Sequence, residues 1–536
     1  MLRPLQVLRL YAPHGGTLAS LLAARVAVAP QREALVFEDR AIGYAQLQAL
    51  ALRAATMYAA RGVKPGERIG VVSANHPSTV ITLLALARLG AVMVPVNPDY
   101  RATEAGYVLG HAQVSGVLCA PEVLATVREA VRDLAPAPWL MLNRADAGAD
   151  LPVFDDAVAA TSGDVPADAG TPDAPCVFIY TSGTTGFPKG VMHGQRALIL
   201  AGEGFVQRMH LQPDDRLLCL LPMFHVNALF YSLAGALAAG ATLILLPRFS
   251  ASTFWADAAR TRATEANTIA AVSNILLRRP RSEFVANHAL RKIYGAPFSA
   301  ETYEVFRREF GVPTLIEGYG MSEIPGALNN PFEGPHKIGS MGTPSVHPDP
   351  AVQLAQLKIV DDDGRELPDG QTGELVVKTP LVMQGYYRDP AQTAAALRDG
   401  WFLTGDLARR DADGYFWFVA RKKDIIRKRG ENISGAELDR VIESHPAVLQ
   451  AAAIAVPDAL GEDEILVAIV RKPGGEVDAR AIAAWCRERL APIKVPRYVV
   501  FVDALPQTPT HRVAKYKLRE DASLRERALD LDAPQR

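Results

Sequence analysis

The densest chemistry in the chain is a ten-residue loop, Thr181-Ser182-Gly183-Thr184-Thr185-Gly186-Phe187-Pro188-Lys189-Gly190. Its three glycines let backbone N–H groups turn toward an anion with no Cβ in the way. Four hydroxyls between Thr181 and Thr185 add donors, and Lys189 adds a charge. That density of donors suits a polyphosphate. The order is not that of a G-x-x-x-x-G-K-[ST] loop, because no Gly-Lys pair precedes a Ser or Thr, so kinase and GTPase readings lose their main support. A flexible glycine–serine turn is the bland alternative, and Pro188-Lys189-Gly190 closing the loop weighs against it.

A second cluster, Glu317-Gly318-Tyr319-Gly320-Met321-Ser322-Glu323, sets carboxylates that suit a hard cation beside an aromatic face that suits a purine. Thr404-Gly405-Asp406 follows Trp401-Phe402, and Gly295-Ala296-Pro297 forms a small-residue turn. Alone, each of these has an ordinary reading: a solvated glutamate, a tight turn.

In this order and company the segments resemble the adenylate-forming superfamily of acyl-CoA synthetases, peptide-synthetase adenylation domains and firefly luciferase. The similarity runs from about Leu18 to Leu518. It implies a large N-terminal domain (1–422) of parallel-rich sheets with a distorted barrel, and a small mobile α+β C-terminal domain (423–536). It implies that Thr181, Ser182, Gly183, Thr184, Thr185, Gly186 and Lys189 hold the phosphates of ATP. Tyr319 would stack on adenine, with Gly295, Ala296, Pro297, Glu317, Gly320 and Ser322 around the nucleotide. Glu323 would hold Mg²⁺, with Thr184 as a further ligand. Asp406 would bind the ribose hydroxyls, joined by Arg421, and Lys423 falls at the family's hinge. In the basic run Arg421–Arg429, where six of nine residues are Lys or Arg, a hinge followed by a loop (Lys428, Gly430, Glu431) beside coenzyme A is favoured over a solvated hairpin or a nucleic-acid patch.

One departure matters. Family members close with P-x-T-x-x-G-K, whose lysine bridges the substrate carboxylate and the α-phosphate. Here the stretch is Pro506-Gln507-Thr508-Pro509-Thr510-His511-Arg512-Val513-Ala514-Lys515. Register puts Arg512 on the lysine, keeping the charge in a bulkier planar group. Lys515 is the reserve cation.

The activity implied is an ATP-dependent acid–thiol ligase. A carboxylate and ATP give acyl-AMP and pyrophosphate, and acyl transfer to coenzyme A then releases AMP. A carrier-protein acceptor and a nucleotide-binding homologue with lost catalysis are the alternatives. Pro222-Met223-Phe224-His225-Val226-Asn227 resembles the loop bordering the acyl pocket, and His225 is weighed equally as a gate and as a packed structural histidine. Where amino-acid-adenylating members carry Asp, this chain carries His225, which argues against an α-ammonium substrate. Asn227, Ser273, Asn274 and Ile324 are pocket candidates of mixed polarity. Phe249–Trp255 and Lys494–Tyr498 resemble small- and medium-chain ligases of the crotonobetaine/carnitine–CoA type.

These groups must be positioned by a chain of 536 residues with formal net charge −1, so no global field favours nucleic acid or an anionic membrane. The partners expected are a small carboxylic acid and coenzyme A, with a homodimer left open. Four scattered cysteines offer no CxxC pair, as in a reducing cytoplasm, where the chain is expected. Leu217–Pro247 lacks Asp, Glu, Lys and Arg and is long enough to span a bilayer, but its prolines and glycines divide it into strand (Leu217–Leu221), loop, helix (Ala228–Ala239) and strand (Thr242–Leu246). Elsewhere strands alternate with helices: Arg68–Ser73, Ser78–Arg88, Ala91–Val96, Ser115–Cys119, Glu122–Leu134, Trp139–Leu142. That alternation predicts right-handed βαβ units. Asp146–Pro175, rich in Ala, Asp, Gly and Pro, reads as a loose connection.

Overall fold

The computed structural model describes the chain except residues 147, 182–187, 429–430, 458–462, 491, 508–512 and 533–536, and the side chains of Lys423, Arg427, Glu431 and Asn432. Among the described residues, those of 1–181, 188–357 and 377–402 form one compact unit, and those of 358–376 and 403–532 a second. The boundary expected at 423 therefore lies inside the second unit.

Two parallel-rich sheets organise the first unit. In the larger, the strands Glu33–Phe37, Thr242–Leu245, Arg216–Cys219, Glu265–Asn267, Lys292–Gly295 and Thr314–Met321 lie side by side in parallel. Antiparallel strands flank them, Arg40–Gly43 at one edge and Ile324–Asn329 with Thr343–Pro344 at the other. The smaller sheet runs Gly385–Tyr386, Lys189–Gly194, Pro175–Thr181, Val92–Val96, Arg68–Val72, Gly116–Cys119, Trp139–Leu142, and is antiparallel only in its first three strands. Helix Pro77–Arg88 is buried from Ser78 through Ala87, and helix Gln195–Met209 is buried along most of its length. Strands covered on both faces have no use for charge, which explains the uncharged 217–247 stretch without a membrane. Among the described residues no helix is long and apolar enough to cross one.

The α/β alternation is found where the sequence places it, with ends moved by a residue or two. Two differences are larger. The expected helix Ala228–Ala239 begins instead as a π-helical segment, Asn227–Leu233, before the α-helix Ala234–Ala239. Within the expected loose connection a short helix, Phe154–Ala159, forms because Phe154 and Val158 bury against the core while the polar residues around them face out.

A further five-stranded sheet joins Gln356–Val360, Thr372–Lys378, Trp401–Arg410, Leu397–Arg398 and Phe416–Arg421. In the second unit a four-stranded sheet (Val448–Pro457, Asp463–Arg471, Tyr498–Phe501, Leu529–Asp530) packs on the helices Gly435–Glu443 and Ala479–Arg487. Around the basic run Ile425–Lys428 pairs antiparallel with Glu431–Ser434, with Lys428 opposite Glu431, while 429–430 of the expected loop lie outside the described residues.

Candidate active site

Antiparallel pairing of Pro175–Thr181 with Lys189–Gly194 puts Lys189 directly across from Thr181, so the strand pair brackets the phosphate-loop sequence. Ser182, Gly183, Thr184, Thr185 and Gly186 lie outside the described residues. The next strand over, Gly385–Tyr386, brings Tyr386 opposite Val191. The Lys189 ammonium sits 5.0 Å from the centre of the Tyr386 ring, a cation–π contact. The same phenol donates to Glu323 Oε1 at 2.9 Å. Burial, with the Glu323 carboxylate beside it, raises the Tyr386 pKa, which keeps the phenol a donor. One tyrosine thus joins the lysine of the first motif to the carboxylate of the second.

The second motif rides on Thr314–Met321, paired with Ile324–Asn329 so that Tyr319 faces Leu328. Strand alternation sends Tyr319 to one face and Gly318 and Gly320 to the other. Both glycines are obligatory: a Cβ on Gly318 would fall 2.3 Å from the Tyr294 hydroxyl, and one on Gly320 would fall 2.5 Å from Gly326 N. The Ser322 carbonyl accepts from His193 Nε2 at 2.6 Å. Burial lowers the His193 pKa to about 4, so its ring is neutral at physiological pH.

Glu317, expected beside the nucleotide, is buried with both oxygens occupied. Oε1 accepts from Phe298 N at 2.8 Å, and Oε2 from Gly339 N at 3.1 Å and the Tyr303 hydroxyl at 3.3 Å. Burial raises its pKa against those hydrogen bonds. Its side chain holds the residue after Gly295-Ala296-Pro297, and so positions that turn.

Asn75 fixes the loop that carries His225, the one expected to border the acyl pocket. Its amide donates to the Leu221 and Leu246 carbonyls, both at 3.0 Å, and its Oδ1 accepts from Met223 N at 2.8 Å. His225 is half-buried with its ring 4.4 Å from Phe224. Asn227 opens the π-helical segment, and its buried Oδ1 has no partner. Ser273 is buried with its hydroxyl 3.0 Å from Thr268 Oγ1, and Ile324 is buried, whereas Asn274 lies on the exposed face of its helix.

In the second unit Arg421 Nε lies 3.0 Å from the buried Asp406 carboxylate, its cross-strand neighbour. Lys423 stands in a 3₁₀ turn, Lys422–Asp424, ahead of the hairpin. Lys428 Nζ lies 2.5 Å from Glu464 Oε1, both nearly buried. Lys515 Nζ lies 2.5 Å from Asp439 Oδ2, both mostly buried, at the start of helix Lys515–Glu520. Lys515, the reserve cation of the sequence reading, is thus held by a carboxylate of its own unit. Arg512 and Gly430 lie outside the described residues, as does the side chain of Glu431.

Three residues escaped the motif reading: Tyr386, His193 and Asn75. Each acts across sixty or more residues on a segment that the motifs do mark, and none sits in a motif of its own.

Comparison with known proteins bears on the same geometry. Residues 22–387 match the model of the AMP-binding enzyme family, and 437–512 that of the AMP-binding enzyme C-terminal domain. The sulfoacetate–CoA ligase of Cupriavidus necator is 36% identical over 94% of this chain and 98% of its own. The indoleacetate–CoA ligase of Aromatoleum aromaticum is 34% identical, over 92% and 95%. The crystal structure of ATP-bound MatB from Rhodopseudomonas palustris superposes with a TM-score of 0.83 at 29% identity, over 94% of this chain and 98% of that one. Full-length likeness of this order, over strands that bring Lys189, Tyr386 and Glu323 together, shows that the chain belongs to the AMP-binding enzyme family and is an AMP-forming acid–CoA ligase working through an acyl-adenylate.

Proposed function

We propose that this ligase activates a small carboxylic acid at a centre built on Lys189, Tyr386 and Glu323, with Arg512 as the cation of the adenylation step. The observation that carries the reading is the single phenol linking ammonium and carboxylate, which gathers both charges from distant stretches of chain. Lys189 and the loop after Thr181 bind the phosphates. Tyr319 takes the adenine face, and Asp406 with Arg421 takes the ribose. Glu323 fits Mg²⁺, because that ion is commonly held by one or two carboxylates plus substrate phosphates. Bound there, Mg²⁺ supplies charge neutralisation on the phosphate oxygens.

A substrate carboxylate oxygen attacks the α-phosphorus, the bond from that phosphorus to the bridging oxygen breaks, and pyrophosphate leaves. Two anions must meet, so catalysis is positioning and charge neutralisation. A coenzyme A thiolate then attacks the acyl carbonyl and AMP departs, with His225 bordering the path. Arg512 suits the first step by register and charge, and the pairing of Lys515 with Asp439 favours Arg512 over it. Lys423 is proposed as the hinge, and Lys428, Gly430 and Glu431 as the coenzyme A side.

The relatives' names span a sulfonated acid and an arylacetic acid, and give no particular support to a crotonobetaine/carnitine type. Incubating the protein with ATP, Mg²⁺, coenzyme A and an acid panel that includes sulfoacetate and indoleacetate, with pyrophosphate, AMP and thioester followed by mass spectrometry, tests the reading. Equimolar AMP and acyl-CoA with one class of small acid supports it. Turnover confined to long-chain acids overturns it.

A further inference from the structure

Arg208 is a buried cation with no anion. It closes helix Gln195–Met209 and is 3% exposed. Among the described residues no carboxylate lies within ion-pair distance of it. Its Nη2 donates to the Gly326 carbonyl at 3.0 Å and Ser345 Oγ at 3.2 Å, Nη1 lies 3.5 Å from the Tyr294 hydroxyl, and Nε finds no acceptor. The other buried Lys and Arg side chains among the described residues are accounted for. Lys292 meets Asp215 at 2.6 Å, Lys428 meets Glu464 at 2.5 Å, and Arg25 donates to the Leu237 and Ala238 carbonyls at the end of helix Ala234–Ala239. A guanidinium removed from water without a counter-charge is costly, and such a group in a native fold needs an explanation.

Its position supplies one. The Tyr231 ring centre is 5.3 Å from the guanidinium carbon, and the Tyr231 hydroxyl lies 3.0 Å from where a Cβ on Gly320 would stand. Gly320 belongs to the motif strand, between Tyr319 and Ser322. On the other side a Cβ on Gly326 would fall 2.4 Å from Nη2, and Gly326 has φ +63°, so glycine is required there twice over. Two phenols, Tyr231 and Tyr294, therefore stand between the cation and the strand on which the acid is activated, the Tyr294 ring centre 5.2 Å from the guanidinium carbon and its hydroxyl against Gly318, and at Gly320 and Gly326 glycine withholds the side chain that would wall the cation off. Tyr231 comes from the π-helical segment Asn227–Leu233. Asn227 Oδ1, on that segment, and Asn267 Oδ1, whose amide nitrogen bonds Ser232 of the same segment at 2.8 Å, are also buried without partners. An apolar acyl pocket has no use for this concentration of unspent polarity.

We propose that Arg208 sets the acid specificity of this ligase, and that its substrate is a short carboxylic acid bearing a second anionic group, a distal carboxylate or sulfonate, which the guanidinium receives. The proposal rests on the ligase reading above and names its substrate class. Carboxylates and sulfonates both present paired oxygens that a guanidinium fork can meet two at a time.

Initial rates of pyrophosphate and thioester formation test it, with malonate and 3-sulfopropanoate as charged probes and butyrate and 3-(methylsulfonyl)propanoate as neutral ones. At least one charged acid should exceed its neutral counterpart by ~100-fold or more in kcat/KM, the scale on which a buried polar site rejects an analogue lacking the group it binds. The stronger of malonate and 3-sulfopropanoate identifies the anion. Arg208→Gln should erase that ratio through KM for the charged acid while leaving butyrate turnover within a few fold, and Arg208→Lys should restore part of it. Should Arg208→Gln not fold, the wild-type ratio alone decides. Preference of the wild type for the neutral acids, or an equal loss on all four acids in Arg208→Gln, overturns the proposal and leaves the ligase reading intact. No turnover of these or any wider set of acids overturns both.

Discussion

Lys189 and Glu323, in the large unit, are held by different means from the cations between Arg421 and Arg519 in the small one. In the large unit one neutral phenol contacts both charges, and among the described residues no carboxylate pairs with Lys189. In the small unit cation after cation meets an acid: Arg421 with Asp406, Lys422 with Asp362 and Glu374, Lys428 with Glu464, Lys494 with Glu437, Lys515 with Asp439, Arg519 with Asp424. The first arrangement leaves the Lys189 ammonium without a carboxylate among the described residues, and the second gives each of these cations a carboxylate partner within the unit. Abundant positive charge in the sequence is thus a poor guide to where phosphate chemistry happens. What marks the site is a cation whose neighbours are neutral.

The largest effect should come from breaking the arrangement around Tyr386 in the large unit. Glu323→Gln keeps the size and the acceptor for Tyr386 but removes the charge offered to Mg²⁺. Adenylate formation, read by ATP–pyrophosphate exchange, should fall ~1,000-fold, the scale of losing one main electrostatic contributor, with the melting temperature nearly unchanged. A loss under ten-fold would mean that the metal is held elsewhere.

Next comes the contrast between two cations three residues apart. Arg512→Ala should slow the exchange reaction by about 100-fold without loss of stability. Lys515→Ala should do the reverse, keeping the exchange rate per folded molecule and costing about 3 kcal/mol in denaturant unfolding, because it strands the buried Asp439 carboxylate. If Lys515→Ala abolished exchange in folded protein, the contrast between the two cations would fail at this point.

A smaller test uses acid. The His193 ring titrates at about 4 in the fold, against an ordinary value of 6.5, because burial disfavours its charged form. Between those values the unfolded chain takes up the proton and the folded one does not. Stability therefore falls as pH drops from about 6.5 to about 4, by up to ~3 kcal/mol for this group. His193→Gln should flatten that part of the stability profile relative to wild type. His76, pulled down to about 4 by burial as well, would keep its own share of the slope in both proteins. Parallel profiles would show that the folded protein protonates His193 as readily as the unfolded chain does, so that burial does not hold the ring neutral.

How much of this was legible in the sequence follows from distance along the chain. Lys189, Tyr319, Ser322 and Glu323 sit in contiguous stretches that the motif order marks, and strand pairing brings Lys189 and Glu323 to one phenol, Tyr386. Glu317 was legible as a site residue but not in its role, because its partners Phe298 and Gly339 lie on other segments. The 425–434 hairpin was hidden by its own charge. A run rich in Lys and Arg reads as solvated, and only the pairing of Lys428 with Glu464, far along the chain, explains how a strand end there turns inward. The π-helical start at Asn227 left no local trace, since apolar periodicity cannot separate it from the α-helix that follows.

Tyr386 is the finest probe of the comparison, because it is the neutral group that both charges share. Tyr386→Phe keeps the ring beneath Lys189 and removes only the hydroxyl given to Glu323, about 1.5 kcal/mol at the low end for a neutral donor on a charged acceptor. The expected result is a loss of about ten-fold in kcat/KM for ATP, with the acid's KM unmoved. Tyr386→Leu removes the ring as well and should lose about as much again, since the cation–π contact is of similar size. If Phe and Leu lose equally, the ring contributes nothing and Lys189 is held by the strand pairing alone. If Phe matches wild type while Leu does not, the hydroxyl is dispensable and Glu323 is oriented by its backbone, whose carbonyl accepts from Met383 N at 2.7 Å. Either result would separate the two charges that this phenol joins, and would show which of them the fold positions first.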